Sequence, residues 1–82
     1  MHTIVIRVDR SVLRYFGEQK YYNGFVSQRE LGGQVEMTFV TASVRGFVKF
    51  YLLFAEHAEI VSPASLKALV KENLEAIAKK LG

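Results

Sequence analysis

The sequence predicts one α+β domain built on an antiparallel sheet, and three observations support this prediction. Residues 3–8 are rich in β-branched side chains and alternate in polarity, as a half-buried strand does. Gly32 and Gly33 separate two further strand-like segments, which is the pattern of a hairpin. Residues 43–54 and 63–81 repeat their apolar side chains at spacings of three and four, which predicts two amphipathic helices.

The composition limits the chain to one small globular domain. With 82 residues, half of them hydrophobic, it can bury a core but only a modest share of its surface, so we expect a homodimer. There is no cysteine, which excludes a disulfide scaffold and a thiolate metal site. The net charge of +3 is spread along the chain, and no apolar segment reaches the length of a membrane span. We therefore expect a cytoplasmic protein without a membrane partner.

The first strand, over residues 3–8, is followed by a short helix. The inward face of this strand carries Ile4, Ile6 and Val8, and the outward face carries Val5 and Arg7. The helix is capped by Asp9 or Ser11 and closed by Gly17. Its apolar residues are Val12, Leu13 and Phe16.

The next two strands are predicted over residues 21–31 and 34–41. In the second of them, Val35, Met37 and Phe39 alternate with Glu36, Thr38 and Val40. The register of the strand over residues 21–31 depends on the length of the loop that joins it to the next strand. A three-residue loop places Phe25 and Leu31 beside the buried residues, and a two-residue loop brings in Val26 instead. We favour the three-residue loop because it buries more apolar area.

The second half of the chain is predicted as helix, strand and helix. The helix over residues 43–54 precedes a short strand over residues 58–61 and a last helix from Pro63 to about Leu81. Ser62 is predicted to cap the last helix, and Pro63 suits its first position because it has no N–H to lose. The apolar stripe of this helix is Leu66, Leu69, Val70, Leu74, Ile77 and Leu81.

The first six elements follow the βαββαβ order of ferredoxin-like sandwiches, and the seventh is an additional C-terminal helix. Both helices of the sandwich are expected to cover one face of the sheet. The other face is then open unless another surface packs on it. Its outward residues Val5, Thr38 and Val40 are our candidate dimer contacts.

Enzyme and metal sites find little support in the sequence. His57 lies between Glu56 and Glu59, but no second histidine stands at a metal-ligand spacing, so we expect a solvated corner. A helix cap explains both Asp9 and Ser11. No glycine-rich phosphate loop follows the first strand. We therefore expect a non-enzymatic protein without a cofactor or metal.

A single-stranded nucleic acid or a nucleotide is the main alternative partner. Basic and aromatic side chains together can hold phosphates and stack a base. The candidate contacts are Arg7, Arg10, Arg14, Tyr21, Tyr22 and Arg29. Residues 45–50 are similar to an RNA-recognition signature, but two residues of that signature are missing and the helical pattern fits better.

Five short motifs follow one another along nearly the whole chain. They are Tyr21-Tyr22-Asn23-Gly24-Phe25-Val26, Gly32-Gly33, Glu36-Met37-Thr38-Phe39, Phe50-Tyr51-Leu52-Leu53-Phe54 and Ile60-Val61-Ser62-Pro63. In this order and spacing they resemble the WCX domain, the C-terminal extension of WYL-domain transcription regulators. Family members usually have tryptophan and then glycine where this chain has Phe50 or Tyr51 and then Ala55. We therefore expect a differently shaped corner at residues 55–57.

The resemblance implies transcription regulation and subunit contact. WYL-type regulators join a winged helix, a WYL sensor and this extension, and neither of the first two is present in these residues. We expect residues 1–82 to be a single WCX-like regulatory domain, a fragment of a longer regulator or a free-standing relative. Its expected function is non-enzymatic regulation and dimerisation, with the WYL and winged-helix domains of a parent chain as partners. The alternatives are a nucleic-acid- or nucleotide-binding module using the open face and a small-molecule sensor.

Overall fold

The computed structural model describes residues 1–82 and confirms the α+β class. Strand β1 spans His2–Asp9, β2 Phe25–Leu31, β3 Gln34–Thr41 and β4 Ala58–Ser62. The α-helices are α1 at Gln19–Tyr22, α2 at Val44–Leu52 and α3 at Ala64–Leu81. Two short 3-10 helices cover Arg10–Tyr15 and Ala55–His57.

The four strands form one open sheet in the order β2-β3-β1-β4, and every neighbouring pair is antiparallel. β1 and β3 are its central strands. Their register pairs Ile6 with Met37 and Arg7 with Glu36. Because successive side chains point to opposite faces, this register gives the sheet one apolar face and one mixed face.

The core lies entirely on the apolar face. Sixteen buried residues form a single cluster, and none of them is charged. The central strands contribute Ile4, Ile6, Val8, Val35, Met37 and Phe39, which are all 0% exposed. The residues that pack on them are Val12, Phe16, Val44, Phe47, Val48, Phe50, Tyr51, Phe54, Leu66 and Val70. The helices therefore cover one side of the sheet, and the other side has no covering element.

The connection from β1 to β2 differs from the predicted short helix. It consists of the 3-10 helix, Gly17 with a φ of 52°, and the one-turn helix α1. Tyr21 and Tyr22, which the sequence placed at the start of a strand, lie on α1. A strand at these positions would have no partner, because the facing residues follow Thr41 and lead into α2.

The hairpin between β2 and β3 has a two-residue loop, so the three-residue prediction was wrong. Leu31 pairs with Gln34, and only Gly32 of the two glycines has a positive φ, of 70°, as in a type II′ turn. A bulge between Phe25 and Ser27 then shifts the register. Phe25 faces Phe39 in the core at a ring distance of 5.9 Å, so the bulge recovers the apolar burial that had favoured the longer loop.

Gly24 makes the start of β2 possible. Its φ is 86°, a conformation that side chains rarely adopt. Its carbonyl accepts a hydrogen bond from the N–H of Val40 at 2.8 Å, and a Cβ here would overlap the carbonyl oxygen of Val40. The close approach of these two backbones therefore requires a glycine.

The two long helices begin differently. The Ser43 hydroxyl accepts from the Gly46 N–H at 3.0 Å and caps α2. Ser62 does not cap α3, because it pairs with Val5 as the last residue of β4, and no side chain caps α3. The segment with the RNA-recognition pattern lies within α2, which rules out that interpretation.

Only the first part of the apolar stripe of α3 reaches the core. Leu66 and Val70 are buried, whereas Leu74, Ile77 and Leu81 are 51%, 46% and 82% exposed. An 18-residue helix is roughly 27 Å long. Its C-terminal half therefore extends past the core. No helix in the structure combines the length and the hydropathy that crossing a bilayer requires.

This difference along α3 predicts unequal effects of two equivalent truncations. Leu66→Ala should lower the free energy of unfolding by about 3 kcal/mol, because it leaves a cavity in the core. Leu74→Ala should lower it by less than about 1 kcal/mol, because its side chain is half in solvent. Urea denaturation followed by circular dichroism measures both. Equal losses would show that the second half of α3 is packed as tightly as the first.

Candidate functional site

The uncovered side of the sheet, called the open face below, is the first candidate surface. Its residues are Thr3, Val5, Arg7, Asp9, Ser27, Arg29, Leu31, Gln34, Glu36, Thr38, Val40, Glu59 and Ser62. Each of them retains some exposure to solvent. The alternation of β1 and β3 places these side chains here, since their neighbours in sequence fill the core.

Four charged side chains cross the open face in one row, from β2 to β4. In sheet order they are Arg29, Glu36, Arg7 and Glu59, called the charged row below. Arg29 Nε donates to Glu36 Oε1 at 2.9 Å, and Arg7 Nε donates to Glu36 Oε2 at 3.2 Å. Arg7 Nη1 lies 3.7 Å from Glu59 Oε1. Positive and negative charges therefore alternate across the whole sheet, and their sum is zero.

Glu36 is the most enclosed member of the charged row. Its side chain is 14% exposed, whereas that of Arg29 is 67% exposed. The hydrogen bond from Arg29 lowers the pKa of Glu36 below its ordinary value, burial opposes this effect, and the hydrogen bond from Arg7 adds to it. Glu36 is consequently ionised at neutral pH and fixes the positions of both guanidinium groups.

A second row beside the charged row is small and neutral. In sheet order it consists of Ser27, Thr38, Val5 and Ser62, called the neutral row below. The next pair beyond it is Val40 with Thr3. The candidate dimer contacts Val5, Thr38 and Val40 therefore lie together on the open face. Their small side chains leave room for another surface to approach.

The six candidate nucleic-acid contacts do not form one surface. Arg7 and Arg29 share the open face, but both are bound to Glu36. Arg10 forms an ion pair with Glu30. Arg14 donates to the hydroxyl of the adjacent tyrosine, Tyr15, at 3.2 Å. The other two candidates, Tyr21 and Tyr22, lie on α1 and outside the open face.

Sequence reasoning missed the two carboxylates of the charged row. Glu36 shares a strand face with Thr38 and Val40, so the period-two pattern already placed it on the open face. Glu59 had no comparable signal, because its position opposite Arg7 depends on the register of β4. The bulge between Val5 and Ile6 lies beyond this pair and shifts only the pairing of Val5, which faces Ser62.

A concave site, called the aromatic cleft below, lies on the helical side of the molecule. It has a volume of about 210 Å³ and sits between the first connection and the C-terminal end of α2. Its lining residues are Val12, Tyr15, Phe16, Gln19, Phe50, Leu53, Phe54, Glu56 and His57. The rings of Phe16 and Phe54 are 4.5 Å apart. Tyr15 and Leu53 are about 70% exposed at its rim.

The polar end of the aromatic cleft is the corner at residues 55–57. These residues form a 3-10 helix with no positive φ, so Ala55 fits this corner without backbone strain. His57 Nδ1 lies 3.7 Å from Asp9 Oδ2, and its Nε2 lies 3.8 Å from Glu56 Oε1. Beside the corner, the Tyr51 hydroxyl donates to the carbonyl of Ala58 at 3.3 Å, and burial raises the pKa of Tyr51.

Comparison with known families and proteins adds one finding. The family model of the WCX domain matches residues 1–78. The match includes all four strands and ends near the C-terminus of α3. Comparison with curated proteins gives no match.

The position of Glu36 predicts a pH-dependent contribution to stability. A carboxyl group whose pKa is lowered in the folded state stabilises the fold above its unfolded pKa, and this contribution disappears as the pH falls through the folded pKa. Wild type should therefore be more stable than Glu36→Gln at pH 7. The difference should shrink below about pH 4.3, the ordinary pKa of a glutamate.

Urea denaturation at pH 7, 5, 4 and 3 tests this prediction. Glu72→Gln is the matched control, because Glu72 is exposed on α3 and has no cation within 4 Å. Its difference from wild type should stay small at every pH. A stability difference for Glu36→Gln that is the same at pH 7 and pH 3 would contradict a stabilising role of the ionised carboxylate.

Proposed function

The chain belongs to the WCX domain family, and from this premise we propose that it is a non-enzymatic regulatory domain through which subunits of a transcription regulator associate. Family membership supports the association with a regulator. The finer role in subunit contact is supported by the open face. An entire side of the sheet, including Val5 and Val40, is covered by nothing in the chain.

The size of the core adds to this argument. Sixteen buried residues of 82 leave a domain with modest stability, which gains from apolar area buried against a partner. We infer a second copy of the chain as one partner and the WYL and winged-helix domains of a parent chain as others. The strand order also supports a ferredoxin-like description, in which the first connecting helix is reduced to a 3-10 helix and one α-helical turn.

The nucleic-acid alternative receives less support from the open face. Phosphate binding requires cations that are free to neutralise it. Here Glu36 and Glu59 neutralise Arg7 and Arg29 within the charged row. A nucleic acid would have to displace both carboxylates or meet their repulsion.

Self-association is the direct test of the proposed function. Sedimentation equilibrium between 10 µM and 1 mM should show a monomer–dimer equilibrium, and the melting temperature should rise with protein concentration, because association stabilises the folded state. A strict monomer at 1 mM and low salt would overturn the proposed role in subunit contact. The concentration series itself serves as the control, since an isolated monomer has a concentration-independent melting temperature.

Small-molecule sensing is a second candidate function, and the aromatic cleft favours it. A mostly apolar cleft with a few polar groups at one end is the usual form of a small-ligand site. At about 210 Å³ it is below the usual range of roughly 300–1,000 Å³, so it suits a single aromatic ring. The side chains that can hydrogen-bond such a ligand are Tyr15, Gln19, Glu56 and His57.

Phenol and benzoate are suitable probes for the aromatic cleft, because each has a single aromatic ring. In two-dimensional NMR, saturable shifts are expected at Val12, Phe16 and Leu53. Leu53→Lys, at the rim, should reduce these shifts, whereas Leu81→Lys, which changes another exposed leucine far along α3, should not. Shifts that never saturate, or that persist in Leu53→Lys, would argue against a ligand site.

A further inference from the structure

The order of charges in the charged row determines what can pack against the open face. From β2 to β4 the signs are plus, minus, plus, minus. A row with this order changes sign when it is reversed end to end. A surface that carries the same row in reverse therefore presents an opposite charge at every position.

A second copy of the chain carries that surface. Consider a two-fold axis parallel to the strands, lying between two facing sheets and above the gap between β3 and β1. Rotation about this axis places β4 of the second copy over β2 of the first copy, and β1 of the second copy over β3 of the first. Arg29 then faces the partner's Glu59, and Glu36 faces the partner's Arg7. By symmetry each contact occurs twice, which gives four pairs of opposite charge.

The neighbouring rows permit the same arrangement. In the neutral row, Thr38 would face the partner's Val5, and Ser27 would face the partner's Ser62. On the other side of the charged row, Gln34, which pairs with Asp9 within the chain, would face the partner's Asp9, an amide donor against a carboxylate. Beside the charged row, the central strands carry the smaller side chains of Thr38, Val5, Val40 and Thr3, so the two sheets are expected to approach to about 10 Å.

From this match we propose that two copies of the domain pack open face to open face about a two-fold axis along the strands, and that the charged row sets their register. The inference rests on the proposed role in subunit contact and specifies its surface. A partner with a single sign of charge would meet repulsion at two of the four positions in the row. A second copy meets none.

The size of the open face indicates a weak dimer. Four strands of about seven residues form a face of roughly 19 Å by 24 Å, or roughly 450 Å² per copy. A standard interface buries about 800 Å² per partner. The contact is therefore small and polar, and it should weaken as salt screens the four pairs.

Charge reversal at the two ends of the charged row tests the geometry. Arg29 and Glu59 are the most exposed members of the row, at 67% and 59%. In Arg29→Glu, two pairs of carboxylates would face each other across the interface, and in Glu59→Arg, two pairs of guanidinium groups would do so. Each variant alone should raise the dimer dissociation constant at least tenfold in sedimentation equilibrium at low salt.

The double variant R29E/E59R distinguishes charge pairs that form between two copies from charge pairs that act only within one chain. Within one chain it loses both the Arg29–Glu36 and the Arg7–Glu59 contacts, so an intrachain role predicts the largest defect. Between copies, each reversed charge again faces its opposite, so the proposal predicts recovery of the wild-type dissociation constant. Mixing R29E with E59R should likewise yield a heterodimer that is tighter than either homodimer.

The outcomes distinguish this inference from the proposed function. A wild-type chain that stays monomeric overturns both. A wild-type dimer whose dissociation constant is unchanged in the variants overturns the inference alone and directs attention to the exposed apolar residues of α3. If R29E is too unstable to measure, E59R alone tests the inference, because it leaves Glu36 bound to both Arg7 and Arg29. Failure of R29E/E59R to recover dimerisation while circular dichroism shows it folded also overturns the inference.

Discussion

The register between β1 and β3 is the constraint on which both faces of the domain depend. It pairs Ile6 with Met37 on the buried side and Arg7 with Glu36 on the open side. A shift of one residue would exchange the faces and place charged groups in the core, where they cannot be solvated. The apolar core and the charged row are thus two results of one alignment of strands. The alignment that forms the core therefore also determines which charged side chains are neighbours on the open face.

The rest of the fold completes one side of the sheet and leaves the other uncovered. Aromatic rings of α2 fill the space over Phe39, with Phe47 and Phe50 at ring distances of 4.9 Å and 5.7 Å. The first connection is divided at Gly17 into a 3-10 helix and one α-helical turn, and it contributes Val12 and Phe16 to the core with the aromatic cleft beside them. No element within residues 1–82 packs on the second face of the sheet.

The distinctive feature of the open face is the order of its charges and not its net charge. The four residues of the charged row sum to zero, so the row itself adds no net positive charge to the open face. A partner whose charges do not match this alternating order would place like charges opposite each other, which raises the free energy of the complex. This order of charges is the basis of the subunit contact that we propose for a domain of the WCX family.

The sequence by itself determined the strands β1 and β3, their two faces, and the helical state of residues 45–50. Polarity at a period of two, or at three and four, is a local property of the chain. Only the tertiary structure decided the two-residue loop of the hairpin, the bulge that returns Phe25 to the core and the pairing of Arg7 with Glu59. These features depend on alignment between distant strands, where a slip of one residue reverses every contact. The tertiary structure also decided where α3 leaves the core. The apolar stripe in its sequence shows which side of the helix is hydrophobic, but it does not show that burial ends after Val70.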